Sequence, residues 1–224
     1  ASLAIGEDMA KAYEKRYGWP FAPFQNAVDL EAIRNYLRDC APADDTKQSI
    51  RVLYVGSIFS NAQLASLIDI ARAVTTLASE GLPIRFDVHS PAHLAEPYRR
   101  QIELSPSVRL HDTITDDQTF FRTIAAASIL VMPVNFDDDS VRLIRYSMPT
   151  KLPAYLSCGT PILAYGPAGV AQIEDARRHG WGLVVDQPGP AGVAAALQQL
   201  ARAKGRRSEL VERARQLAAT RHDI

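Results

Sequence analysis

The chain has 224 residues, 47% of them hydrophobic and 22% charged, which excludes a disordered chain and allows the core of one large domain, or of one domain with an appendage. Its 25 basic residues balance 25 acidic ones, which excludes broad electrostatic binding to nucleic acid or to an anionic membrane and leaves room only for a local basic pocket. Cys40 and Cys158 stand in no metal-ligand spacing and read as reduced thiols of a cytoplasmic protein; no apolar run approaches the ~18 residues of a membrane span, and no signal peptide is visible.

Residues 1–48 form a first region. "SLAIGEDMAKAYEKRYG" reads as a strand end and one helix, "WPFAPFQNAVDL" as a loop rich in proline and aromatics, "LEAIRNYLRD" as a helix and "CAPADDTKQ" as a linker. With so few strands, this region is expected to pack on the rest of the chain or to belong to a neighbouring domain. The first residue is Ala, not Met, as in a processed chain or a piece of a longer one.

Residues 49–224 alternate strand and helix. "IRVLYVGS" (50–57) is β-rich and ends in small residues. The segment 62–81 follows, with Leu64, Leu67, Ile68, Ala71, Val74 and Leu77 at helical spacing and Gly81 as a stop. "PIRFDVHS" (83–90) is the second strand, followed by a helix near 92–103; "SVRLHD" (107–112) is the third, followed by a helix over 116–127 with acids in its first turn. "SILVMPV" (128–134) is wholly apolar, and the acidic run "NFDDDS" after it reads as a solvated loop. A helix starting near Pro149 leads to the strand "TPILAYG" (160–166), a helix near 168–178, the strand "GLVVDQ" (182–187), a helix near 190–203 and a basic helix over 206–220. Short apolar strands between amphipathic helices predict an α/β fold: a Rossmann-like, doubly wound parallel sheet covered on both faces. Ligands of such sheets bind beyond the carboxyl ends of the strands, at the topological switch point. That places candidate ligand residues after Gly56, His89, Asp112, Pro133 and Gly166.

The stretch "RYSMPTKLPAYLSCGTPILAYGP" (145–167) carries the strongest chemical signal. Pro149 suits the first helical position and Gly159 the left-handed stop. The expected free N–H groups of Thr150, Lys151 and Leu152 face whatever lies beyond the helix mouth. The hydroxyls of Ser147 and Thr150, the Lys151 ammonium and the preceding Arg142 and Arg145 add donors, which together suit a phosphate. Ser and Thr at helix starts also serve as plain caps.

"PTKLPAYLSCGTPILAYGP", with "LYVGSIFSNAQ", "ASILVMPV" and "QNAVDL", resembles the C-terminal, nucleotide-sugar-binding half of retaining GT-B glycosyltransferases of the glycosyl transferases group 1 type. The resemblance implies two Rossmann-like domains with catalysis between them. This chain would hold the donor domain (49–224), and residues 1–48 would be a remnant of the crossing from a missing N-terminal domain that carries the acceptor site. The implied partner is a nucleotide-sugar donor, and this half alone is expected to be inactive. The implied location is cytoplasmic, with peripheral membrane contact through the missing domain only. No metal or cofactor is expected, since N–H groups and cations would carry the diphosphate charge.

By the same resemblance, Gly56 and Ser57 would sit by the diphosphate and Ile114 would hold the base through its backbone. The family's Arg falls at Ser57, and its Lys a few residues on is replaced by Asn61 or Gln63, so Arg142, Arg145 or Lys151 would supply the charge. The family's glutamate pair falls at Tyr146 and Ala154, neither acidic, and Asp138 or Asp139 would take the place beside the sugar. His89 would bond sugar or phosphate. No residue is assigned a catalytic role.

Two rival readings stand beside this one: a nucleotide-sugar epimerase, and a catalytically degenerate scaffold of the same fold. The chain lacks a G-x-S-x-G elbow, a G-x-G-x-x-G dinucleotide loop and a Walker loop, and its five His have no metal spacing. The basic tail "RAKGRRSELVERARQ" reads as a solvated helix.

Overall fold

A computed structural model describes residues 1–38 and 49–224. Cys40 and the expected linker at 40–48 lie outside the described residues. In chain order the elements are β1 (Leu3–Ala4), α1 (Glu7–Tyr17), β2 (Ala22–Pro23), α2 (Leu30–Leu37), β3 (Ile50–Val55), α3 (Leu64–Ser79), β4 (Ile84–His89), α4 (Ala92–Ala95), a 3-10 turn (Glu96–Tyr98), α5 (Arg99–Ile102), β5 (Val108–His111), α6 (Asp117–Ala125), β6 (Ile129–Pro133), α7 (Asp138–Ile144), α8 (Leu152–Ser157), β7 (Ile162–Tyr165), α9 (Ala171–His179), β8 (Gly182–Val185), α10 (Pro190–Arg202) and α11 (Lys204–Arg221).

Strands β3 to β8 form one six-stranded sheet in the order β5-β4-β3-β6-β7-β8, and every pairing is parallel. This is the doubly wound α/β architecture that the alternating pattern predicts. Successive side chains of a strand enter opposite cores. Val52, Tyr54, Phe86 and Val88 join the core beneath α3 and α10, while Leu53, Val55, Leu130 and Met132 join the one beneath α2, α6, α8 and α9. The order reverses between β3 and β6. Their register runs through Val52↔Ile129 and Leu53↔Leu130 only, so the two strands separate before their carboxyl ends and leave a crevice.

Several boundaries differ from the sequence reading. The expected helix over 92–103 is broken into α4, the 3-10 turn and α5 around Pro97, because proline cannot continue the helical hydrogen-bond ladder. The acidic run is not a loop. Asp137 accepts from the Ser140 N–H at 2.9 Å and caps α7, whose first turn holds Asp138 and Asp139. Helix α8 begins at Leu152 rather than Pro149, and the Leu152 N–H donates to the Pro149 carbonyl at 3.0 Å. One of the N–H groups expected to face a ligand is therefore taken by a tight turn.

In the first region, β1 and β2 pair in parallel across α1; the loop reading of 19–30 missed β2. Glu7 and Asp8 of α1 face Arg178 and Arg221, and the Val28 N–H donates to the His222 carbonyl at 2.7 Å. Helix α2 packs on α6, with Tyr36 stacked on Phe121 at 5.8 Å. Among the described residues no helix is long and apolar enough to cross a membrane. The buried Thr160 hydroxyl donates to the Ile124 carbonyl at 2.8 Å and closes the end of α6. Thr160→Val removes that donor and leaves the Ile124 carbonyl with a long bond from the Ala127 N–H at 3.4 Å, so urea denaturation is expected to show a loss of about 1 kcal/mol.

Candidate functional site

The crevice between β3 and β6 opens into a cleft of about 420 Å³. Its walls are the end of β3 and the following loop (Tyr54, Val55, Gly56, Ser57, Phe59, Gln63), the end of β6, the turn from Ser147 to Lys151, and the start of α9. A buried amide joins the two loops at the switch point. Asn135 is fully buried, donates to the Ser60 carbonyl at 2.8 Å, and accepts from the Ser66 N–H at 3.2 Å.

Lys151 is the centre of the site. Its Nζ donates to the Val55 carbonyl at 3.0 Å and lies 3.8 Å from the centroid of the Tyr54 ring. Tyr155, on the α8 helix that Lys151 immediately precedes, accepts the Val55 N–H at 2.9 Å. Because β3 has left β6 at this level, both polar groups of Val55 are served by the 145–167 block instead of by a strand. Burial pushes the Lys151 ammonium down to about 7, and burial pushes the phenols of Tyr54 and Tyr155 up, so neither supplies a countercharge. The cleft-lining residues include no Asp, Glu, Arg or His, which leaves Lys151 as the one charged side chain among the described residues that line it.

Gly56 makes this arrangement possible. Its φ is +148°, and a Cβ there would lie 2.6 Å from Lys151 Nζ.

Of the residues singled out from sequence, Gly56, Ser57, Ser147, Thr150 and Lys151 come together on the cleft, and the other five do not. Arg142 is on α7, its side chain 81% exposed and 3.9 Å from Asp139, which is 88% exposed. Arg145 is exposed over the Tyr146 ring at 5.5 Å. Ile114 is half-buried in the irregular segment after β5. His89, at the end of β4, stacks on His111 at 4.7 Å and contacts the Asp112 carbonyl through Nδ1 at 3.0 Å; burial pushes its pKa down. His89 sits beside Asp87, whose carboxyl burial would raise but which hydrogen bonds from Arg51 at 2.6 Å and His111 at 3.0 Å hold below its usual range. Ala154 is buried and Tyr146 is half-buried, so no carboxylate stands at either position. Among the described residues, no group of three His, Cys, Asp or Glu could hold a metal.

The sequence reading missed Tyr54, Gln172 and the apolar wall of Phe59, Phe120, Met132 and Met148. The signal for Gln172 was its place just after β7, at the same edge of the sheet.

The sequence model of the family described as Glycosyl transferases group 1 matches residues 49–203. No curated protein sequence matches the chain. Among solved structures, the chain resembles WaaG, described as a glycosyltransferase involved in lipopolysaccharide biosynthesis, with a TM-score of 0.67 and 16% identity over 97% of this chain and 58% of that one. It also resembles an alpha,alpha-trehalose 6-phosphate synthase from Burkholderia multivorans, with a TM-score of 0.73 and 10% identity over 98% of this chain and 55% of that one. A structure described as trehalose-6-phosphate from E. coli bound with UDP-2-fluoro glucose gives 0.67 and 11% over 92% and 50%. These likenesses are of fold, and the chain spans about half the length of the structures it matches.

Proposed function

We propose that this chain, which belongs to the glycosyl transferases group 1 family, is the donor-binding half of a nucleotide-sugar-dependent glycosyltransferase. The observation that carries the reading is Lys151: a desolvated cation fixed in a cleft of about 420 Å³ that offers it no carboxylate. A buried charge without an opposite charge beside it is costly, and an anionic ligand removes that cost. At this position the ligand is the donor's diphosphate. As the bond between sugar and diphosphate breaks, negative charge grows on the leaving oxygen. Lys151, whose ammonium is already held by the Val55 carbonyl, then stabilises it together with the hydroxyls of Ser57, Ser147 and Thr150. The short α8 contributes less than its sequence promised, because the Leu152 N–H is already bonded.

The acceptor side belongs, on this reading, to an N-terminal domain. The β1–α1–β2 unit supports it: two strands of two residues each, paired in parallel across a helix, are too small to be stable alone and suit the margin of a larger sheet. Activity then requires that domain, and the complete enzyme works in the cytoplasm with any membrane contact made through it.

Calorimetric titration with UDP, GDP, UDP-glucose and GDP-mannose tests the reading. One base series is expected to bind. No binding of any nucleotide at millimolar concentration would instead identify a scaffold domain, to which the cleft's lack of carboxylates also points. Turnover of a nucleotide sugar without acceptor would identify an epimerase.

A further inference from the structure

We propose that Gln172 reads a hydroxyl group of the ligand in this cleft, an inference that rests on the nucleotide-sugar reading above. Gln172 stands in the first turn of α9, is 4% exposed and lines the cleft beside Met132, Val134 and Val170. Its Nε2 donates to the Met132 carbonyl at 3.0 Å. A backbone carbonyl only accepts, so this bond fixes which end of the amide is which and turns Oε1 away from β6.

Oε1 receives no hydrogen bond from the described protein. Among the described residues, the sealed polar side-chain atoms without a partner are His89 Nε2, Ser90 Oγ and His179 Nε2, and Gln172 Oε1 is not one of them. It therefore remains open to the cleft its residue lines. The result is a held acceptor set in an apolar wall. A diphosphate oxygen, itself an acceptor, is repelled there, whereas a neutral O–H is matched. The cleft thus divides its ligand, with the phosphates at Lys151 and a hydroxyl-bearing sugar ring at Gln172. Being uncharged, the amide takes no part of the Lys151 charge away from the phosphates, as a carboxylate in its place would.

The test is a cycle between protein and ligand. The wild-type chain, Gln172→Met and Thr160→Val are titrated with UDP-glucose, its 2-, 3-, 4- and 6-deoxy analogues and its 2′-deoxyribose analogue, or with the GDP-mannose series if guanine nucleotides are the ones that bind. Removing one particular hydroxyl is expected to weaken binding about 5- to 10-fold in the wild type and in Thr160→Val. Gln172→Met is expected to bind the parent donor about 5- to 10-fold more weakly and to be indifferent to that same hydroxyl. The analogue that loses affinity tells a glycosyl hydroxyl from a ribosyl one. If every deoxy penalty survives in Gln172→Met, the assignment is wrong and the nucleotide reading stands; if the wild type binds no nucleotide, both fall. Should Gln172→Met not fold, the side-chain amide resonance of Gln172 in the labelled wild type decides: it must move with the parent donor and stay still with the one deoxy analogue, and an equal shift with both overturns the assignment.

Discussion

Lys151→Met is expected to weaken nucleoside diphosphate binding by about 30-fold, and the ligand should draw a proton into the wild-type site but not into the variant. The affinity follows from losing one charge-assisted contact worth about 2 kcal/mol in a cleft that holds no other cation. The proton follows from burial. With the Lys151 pKa brought down to about 7, the empty site at pH 8.5 holds mostly a neutral amine, and a diphosphate beside Nζ pulls the pKa back up. Binding then takes up nearly one proton at pH 8.5, about half at pH 7 and almost none at pH 5.5, where the amine is already charged. Calorimetry in buffers of different ionisation enthalpy reads that number directly. Uptake that does not change with pH would show that the phosphates do not meet Lys151.

The same shift gives a stability prediction of definite sign. Between about pH 7 and the ordinary lysine range the unfolded chain binds a proton that the folded chain does not. Wild-type stability therefore rises with pH across that window. Lys151→Met removes this slope and melts above the wild type at pH 6, by a margin that closes toward pH 10. A residue that costs the empty protein stability and repays it only with an anion bound is a sign of function.

How much of this could be read without the structure depends on burial. All six strands of the main sheet show in the sequence: β3, β6 and β7 carry runs of consecutive apolar residues with a core on both sides, as Val52 and Leu53 illustrate, while β4 and β5 alternate, with Phe86 and Val88, or Val108 and Leu110, buried between polar residues. β2 does not show, since Ala22–Pro23 is exposed and defined by its pairing with distant Leu3–Ala4. Asp137 to Asp139 carry a cap and an acidic first turn, but α7 is seven residues long and too short for a helical repeat to declare itself. Nearness in sequence brought Arg142 and Arg145 into the candidate set, yet α7 turns Arg142 to solvent and Arg145 lies over Tyr146. Tyr54 and Gln172 went unnoticed for the opposite reason. They lie 97 positions before and 21 after Lys151 in the chain, and only the sheet edge brings them to one cleft.

Gly56→Ala is expected to lower stability by about 2 kcal/mol and to weaken diphosphate binding as far as Lys151→Met does. A φ of +148° is foreign to an L-residue and costs about 1–3 kcal/mol, which in a chain of this size lowers Tm by roughly 4–8 °C. The second effect is local. A Cβ 2.6 Å from Lys151 Nζ and 3.3 Å from Tyr54 Oη cannot coexist with the observed side chains, and the flexible end of the lysine is what gives way. Nζ then leaves the Tyr54 ring and the Val55 carbonyl for water, its pKa returns toward the ordinary lysine range, and proton uptake at pH 8.5 disappears. Gly81→Ala supplies the comparison: its φ is +88° with nothing within 4 Å of the added carbon, so it carries the backbone strain and should bind like the wild type. Because both cleft substitutions act on the same ammonium, the affinity of Gly56→Ala/Lys151→Met should equal that of Lys151→Met alone. Additive losses in the double variant would mean that Gly56 meets the ligand itself and that Lys151 is not what its missing side chain makes room for.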